Sequence, residues 1–245
     1  MDNKTITLCG LAAVKARWET NPDSFRRLFF DPVIGRKIPE ISKALAAAKK
    51  IYRCVEAEEL QRVAGSVHHG GIVAIVMAPQ LQAPRRTDPE AWAAAKEHVL
   101  LLDRIGNAHN LGAIARTAAF YGIKHIIIPD TPEAARPNDA AYRVAEGGLE
   151  YITIWTPRDL VALMRDMARL GYEIVGAATR GGPDALQDLE PGAPIALVMG
   201  NEEKGISREL ERGCTRLVTL AGTGHVESLN VSVAGAILMD RLFRR

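Results

Sequence analysis

Three short stretches of this chain carry polar side chains at spacings that neither a core nor an ordinary helix demands. In DRIGNAHNLGAIARTAAFYGI (103–123), Gly106, Asn107 and Asn110 suit a tight turn. Asn110 fits the N-cap of a helix from about Leu111 to Tyr121. Arg116 then lies about two turns inside, among Ala115, Ala118 and Ala119, on a helix made for close packing. Taken alone, it reads equally as an arginine snorkelling from an amphipathic surface.

The second stretch is APIALVMGNEEKGIS (193–207), a glycine-bounded turn after an apolar run. Gly200 and Gly205 have the separation of a phosphate loop, but Ile206 occupies the lysine position, and Glu202 with Glu203 would repel a triphosphate. A neutral or cationic ligand, approached by backbone where Gly200 has no side chain, fits better. The third is HVESLNVSVAGAILMDRLF (225–243), where Glu227-Ser228-Leu229-Asn230 runs into an apolar helix that Ser228 or Asn230 can cap. The preceding GTGHVE opens like a dinucleotide fingerprint, but Glu227 closes it and no βαβ unit follows, which argues against that use.

The elements that must position these stretches alternate along the chain. From Leu8 to Met77, helical patterns (GLAAVKARWE, PEISKALAAAKK, EAEELQRVAG) alternate with apolar runs (RLFFDP, IYRCV, IVAIVM) in a βαβ-like rhythm. APQLQAPRRTDPE (78–90), with three prolines and no periodicity, reads as a linker. Beyond it, HVLLLD, KHIIIP, YITIW, YEIVGAAT and PIALVMG are continuous apolar strands separated by helices. Such strands are buried on both faces, as in a parallel sheet covered by helices. Ligands of an open parallel sheet lie at the carboxyl ends of its strands, which is where HVLLLD, PIALVM and RLVTL deliver the three polar stretches. The expected units are 1–78, a linker over 79–92, and 93–245.

Composition narrows the function classes. Residues 1–78 hold 12 Lys and Arg against 8 Asp and Glu, while 79–245 hold 19 against 21, so the basic excess lies in the first third. A polyanion held by that segment accounts for the asymmetry, as does a solvated face. No apolar run reaches the roughly 20 residues of a membrane span, and MDNKTITLCG lacks the layout of a signal peptide, so a cytoplasmic protein is expected. Cys9, Cys54 and Cys214 are too few and too scattered for a disulfide framework or a metal site, and read as reduced, mostly core thiols.

In this order, the three stretches resemble the signature motifs of the SpoU (TrmH-like) family of RNA ribose methyltransferases, of the knotted SPOUT class. The resemblance rests on N-x-G-x-x-x-R-T-A (Asn110 to Ala118), V-M-G-N-E-x-x-G-I-S (Val198 to Ser207) and E-S-L-N-V-S-V-A (Glu227 to Ala234). GLAAVKA and VHHGGIVAIV resemble parts of the small ribosomal-protein-like RNA-binding domain that precedes the catalytic domain in many large-subunit rRNA members. Three departures stand out: Leu220-Ala221-Gly222 where the family has Ile-Pro-Met, Ala145-Glu146-Gly147-Gly148 where a Ser-Ala-Gly-Ala-like segment is common, and His69 where glutamine is common.

The resemblance implies an α/β fold: a parallel sheet with helices on both faces and a C-terminal trefoil knot, preceded by a small α/β RNA-binding domain. It implies transfer of a methyl group from S-adenosylmethionine to a ribose 2′-hydroxyl, in large-subunit rRNA first and in tRNA as the alternative. A catalytically silent RNA-binding or ribosome-assembly protein is the reading from another class. Arg116 takes the catalytic role with Asn110 and Glu202 organising the site, while Met199, Gly200, Leu220, Ser228, Leu229 and Asn230 hold the cofactor. No metal is implied. The apolar C-terminal helix (Val231, Val233, Ala236, Ile237, Leu238, Met239, Leu242, Phe243) is the seam of the family's homodimer.

Overall fold

The computed structural model describes residues 4–178 and 192–243, so the ends of the two expected units, 1–3 and 244–245, lie outside the described residues. Ile6 and Leu8 alternate with threonines in β1 (Thr5–Cys9) and point into a core. With β2 (Phe25–Phe30), β3 (Ile51–Cys54) and β4 (Ile72–Met77) this strand forms a four-stranded sheet in the order β1-β4-β2-β3. The βαβ rhythm is realised once, where β2 and β3 pair in parallel around the short α2 (Pro32–Gly35) and α3 (Pro39–Ala47). β4 runs antiparallel to both its neighbours. α1 (Leu11–Thr20) follows β1, and α4 (Ala57–Ala64) covers Cys9, Phe29 and Val73.

The second sheet is wholly parallel. β5 (Val99–Asp103), β6 (His125–Ile127), β7 (Thr153–Trp155), β8 (Glu173–Ala177), β9 (Ile195–Gly200) and β10 (Arg216–Val218) take the order β10-β8-β9-β5-β6-β7. All five residues of β5 are buried, because helices cover both faces of the strand. Leu101, Ile174 and Val198 meet α5 (Thr87–Ala94), α8 (Leu160–Arg169) and α9 (Arg208–Gly213), whereas Leu100, Leu197 and Met199 share a core with α6 (Ala108–Phe120), α7 (Asp139–Ala145) and α10 (Val231–Phe243).

The two sheets are tied together through α7 and the turn after it. Asp139 accepts the backbone N–H of Thr7 (3.0 Å), and Gly147 lies so close to Ala12 and Ala16 that a Cβ there would touch both. Arg17 and Glu150 form a buried ion pair (2.7 Å), with Tyr142 accepting from the same guanidinium at 3.2 Å. Burial pushes the Glu150 carboxyl up and Arg17 opposes that shift.

The stretch read as a linker is partly ordered. Gln82 makes a parallel bridge to Trp155 on the edge strand β7, and α5 begins at Thr87 and buries Trp92. Of the cysteines only Cys9 is buried: Cys214 is half-buried, its thiol pushed up to about 11 by burial, and Cys54 is exposed because β3 is an edge strand with every residue open to solvent. No helix among the described residues is long and apolar enough to cross a membrane.

Candidate active site

Strand order reverses direction at β5 and β9, and the carboxyl ends of these two strands deliver Asp103 and Gly200 side by side, in register. That is the switch point at which an open α/β sheet presents ligands. Asp103 is buried, and it accepts from Arg104 (2.8 and 3.0 Å) and from the backbone N–H of Ser207 (2.6 Å). Burial alone would raise its pKa, but these donors hold it below the usual carboxylate value. The loop after β9 is thereby pinned to the end of β5.

Within that loop Asn201 organises the turn. Its backbone pairs in both directions with Gly205 (3.1 and 2.8 Å), its Oδ1 accepts from the N–H groups of Glu203 and Lys204, and its amide donates to the carbonyl of Arg104 (3.0 Å). Gly205 adopts φ 66°, which suits glycine, and a Cβ on Gly200 would stand 2.1 to 2.4 Å from the backbone of Gly205 and Ile206. Gly200 is therefore required by the loop's own fold, a constraint the sequence did not show.

Asn110 is not an N-cap. α6 starts earlier than the sequence indicated, at Ala108, and Asn107 caps it by accepting from the N–H of His109 (2.8 Å). One turn in, Asn110 is buried and free to bond outward: its amide donates to Glu202 Oε1, and its Oδ1 accepts from the amide of Asn230 (3.1 Å). Asn230 in turn caps α10, with its Oδ1 accepting from the N–H of Ser232 (2.9 Å). The three polar stretches thus meet in one chain of hydrogen bonds, Asn230 to Asn110 to Glu202.

Beside this chain opens a cavity of about 430 Å³ at the carboxyl ends of β8, β9 and β10. Met199, Gly200, Glu202, Leu220, Ser228 and Leu229 all line it; Asn230, Asn110 and Arg116 do not. The lining is mostly apolar, its acidic members are Glu202 and Glu227, and among the described residues no Lys, Arg or His faces it. Such walls suit a compact ligand with an apolar body and positive charge, and they exclude a triphosphate. Arg116 stands apart on α6, half-exposed and 2.9 Å from the carboxylate of Glu146.

Sequence reasoning missed Asp103 and Asn201. An Asp closing a buried strand and an Asn in a glycine-bounded turn were the available signals, but both read as ordinary strand-end and turn residues.

Comparison with known proteins agrees with this geometry. Residues 97–240 match the model of the SpoU rRNA Methylase family, and residues 7–82 match that for RNA 2′-O ribose methyltransferase substrate binding. An uncharacterized tRNA/rRNA methyltransferase, YfiF, of Escherichia coli O157:H7 is 30% identical over 96% of this chain, which spans 67% of that protein's length. The 23S rRNA (guanosine-2′-O-)-methyltransferase RlmB of Ralstonia nicotianae is 31% identical, covering 99% of this chain and 97% of its own. The SpoU methyltransferase AviRb from Streptomyces viridochromogenes, solved with AdoMet, shares the fold with a TM-score of 0.77 at 20% identity, over 98% of this chain and 90% of its own. With three motifs joined at one switch point and a family model matched over most of its length, the chain belongs to the SpoU rRNA methylase family.

Proposed function

We propose that this protein is an S-adenosylmethionine-dependent methyltransferase acting on a ribose 2′-hydroxyl in RNA, with large-subunit rRNA as substrate. The observation that carries the reading is the acidic-and-apolar cavity at the switch point, joined to Asn110 through Glu202. S-adenosylmethionine, with a sulfonium and an ammonium against one carboxylate, matches walls that hold Glu202 and Glu227 and no cation. The name of the Ralstonia relative, similar along nearly the whole chain, favours rRNA; the E. coli name admits tRNA, which is the alternative.

When bound, the cofactor supplies an electrophilic methyl group. The chain's own residues supply position. Met199, Gly200, Leu220, Ser228 and Leu229 form the cofactor wall, and Asn230 ties that wall to α6 through Asn110. Arg116, with its planar fork of donors, is suited to gripping a phosphate beside the target ribose, aligning the hydroxyl and countering its developing negative charge. We read the arm 219–230, which returns over the ends of β8 and β9, as the family's knotted segment.

In this reading residues 1–78 hold RNA, 79–92 connect, and 93–245 form the catalytic unit. α10 is the dimer seam: Val231, Leu238, Met239 and Leu242 are spent on the chain's own core, but Val233 is exposed and Ile237, one turn on, is half-buried, so an apolar strip remains for a second copy. A cytoplasmic location fits an RNA substrate.

The test is direct. Wild-type protein should bind S-adenosylmethionine by calorimetry and transfer its methyl group to unmodified large-subunit RNA, yielding 2′-O-methylnucleosides by mass spectrometry. Arg116→Ala should keep cofactor binding and lose transfer. Cofactor binding by the wild type without transfer to either rRNA or tRNA would instead identify a silent RNA-binding protein.

A further inference from the structure

Glu146 occupies a position whose backbone asks for another residue. It ends α7 at φ 45° and ψ 42°, the left-handed region, and is followed by Gly147 at φ 94°. Helices that end this way use glycine or asparagine, since a Cβ there crowds the following carbonyl. A glutamate kept at such a site invites the question of what its side chain does.

It reaches Arg116. The carboxylate stands 2.9 Å from the Arg116 guanidinium, and both side chains are more than half exposed. The contact is built by close backbone packing and not by two long side chains meeting at random. A Cβ on Gly148 would lie 2.9 Å from the Cα of Arg116 and 3.3 Å from the carbonyl oxygen of Ala115, so the turn is seated on the backbone of α6 at these two residues. On its far side the same turn is wedged against α1 through Gly147 and held by the buried Arg17–Glu150 pair. The turn therefore has no freedom to carry Glu146 elsewhere.

We infer that Glu146 stands in for substrate phosphate: it occupies the guanidinium of Arg116 in the RNA-free protein, and a phosphate of the bound RNA must displace it. This rests on the methyltransferase reading for the identity of the displacing group. A carboxylate and a phosphate present similar planar pairs of oxygens to an arginine fork, so one can replace the other at the same donors. Because the pair is solvent-exposed, the exchange is inexpensive, and removing the carboxylate frees the guanidinium for phosphate at a gain no larger than the pair's own small worth.

The experiment compares the full chain with Glu146→Gln and Glu146→Gly, each alone and with Arg116→Ala, using unmethylated large-subunit RNA made by transcription in vitro. Glu146→Gly suits the left-handed backbone, so it should melt no lower than wild type and guards against misfolding. Both single variants should bind RNA about 2- to 5-fold more tightly, the range of an exposed ion pair, with KM for RNA lowered to match and cofactor affinity unchanged. In the Arg116→Ala background the same changes should leave RNA affinity unaltered. Unchanged or weakened RNA binding in both single variants would overturn the inference, as would an equal gain with and without Arg116, which would mean general charge repulsion. Absence of methyl transfer to this RNA by wild type, with the Glu146–Arg116 coupling intact, would remove large-subunit RNA as the methylated substrate and leave this inference standing.

Discussion

Asn230 donates a hydrogen bond to the Oδ1 of Asn110 across 3.1 Å, joining two residues 120 positions apart in the chain. The amide of Asn110 meanwhile donates to Glu202, so one buried side chain links the first loop of the parallel sheet to its last. Removing it breaks both bonds; Glu202 is only partly buried and Asn230 is exposed, so water takes over their lost partner and the cost is the net worth of the bonds, about 0.5–1.5 kcal/mol each. Asn110→Ala should therefore lower the melting temperature and weaken S-adenosylmethionine binding together. Asn110→Asp should do worse than alanine, because it sets a second carboxylate against Glu202. Calorimetric titration and thermal melts of the two variants check both statements; an aspartate variant that binds as wild type would remove the network from the cofactor site.

Gly200 gives a sharper test of how the cavity is made. Its missing side chain admits the backbone of Gly205 and Ile206 at distances where any Cβ would collide with peptide atoms. Gly200→Ala should displace the loop 201–205 and reduce cofactor affinity by at least tenfold, a loss of about 1.4 kcal/mol or more. Gly205 has open space around its Cβ position but sits at φ 66°, so Gly205→Asn should be far milder than Gly205→Val, since asparagine tolerates the left-handed region and a β-branched residue does not. Equal losses in both Gly205 variants would point to a contact with ligand in place of a backbone requirement.

The difference between what the sequence disclosed and what it concealed follows from where each constraint lies. The parallel sheet was legible because VLLLD and IALVMG are apolar without interruption, as strands buried on both faces must be. Glu202 and the Ser228 to Asn230 cluster stood out at loop positions and Arg116 as a charge two turns into a close-packed helix, and the structure brings all but Arg116 to one cavity or its supporting bonds. α7 was not legible: at seven residues it depends on Asn138 as its cap and on Gly112 of α6, where a Cβ would meet the carbonyl of Ala141 at 2.4 Å. That is tertiary packing, and local periodicity carries no trace of it. β1 was hidden for a similar reason, being five residues whose pairing with β4 spans most of the first sheet's sequence. The N-cap shifted from Asn110 to Asn107 because both asparagines fit a cap locally, and only the contact with Glu202 decides between them.

The basic excess of residues 1–78 has a structural focus. The β2–β4 register shifts between Phe25 and Arg27, a bulge that leaves the consecutive residues Arg26 and Arg27 both exposed, and both line one shallow cleft with Phe29, Val63 and Ile75. If this face carries RNA phosphates, Arg26→Ala with Arg27→Ala should weaken RNA binding and flatten the plot of log affinity against log salt by about two. Cofactor binding and the melting temperature should be unaffected. A salt slope identical to wild type would move the RNA contact of this segment to another surface.

Acid sensitivity of the fold can be assigned in advance. His98 stacks on Phe243 of α10 (ring centroids 4.6 Å apart) and its Nδ1 accepts the backbone N–H of Ile195, so the neutral ring bridges the terminal helix to the start of β9. Burial holds its pKa below the ordinary value of 6.5, and burial does the same to His125 despite the opposing pull of Glu97. As pH falls below 6.5 the unfolded chain takes up a proton at each of these sites and the folded chain does not, so stability present above that pH is lost progressively toward the depressed folded values. Each site contributes a slope of at most about 1.4 kcal/mol per pH unit. Thermal melts from pH 7.5 to 5.5 should show a falling melting temperature, and His98→Gln, which keeps a hydrogen-bond acceptor and cannot be charged, should start lower at pH 7.5 but decline less steeply. A variant whose decline parallels wild type over that range would show that His98 does not carry the proton linkage.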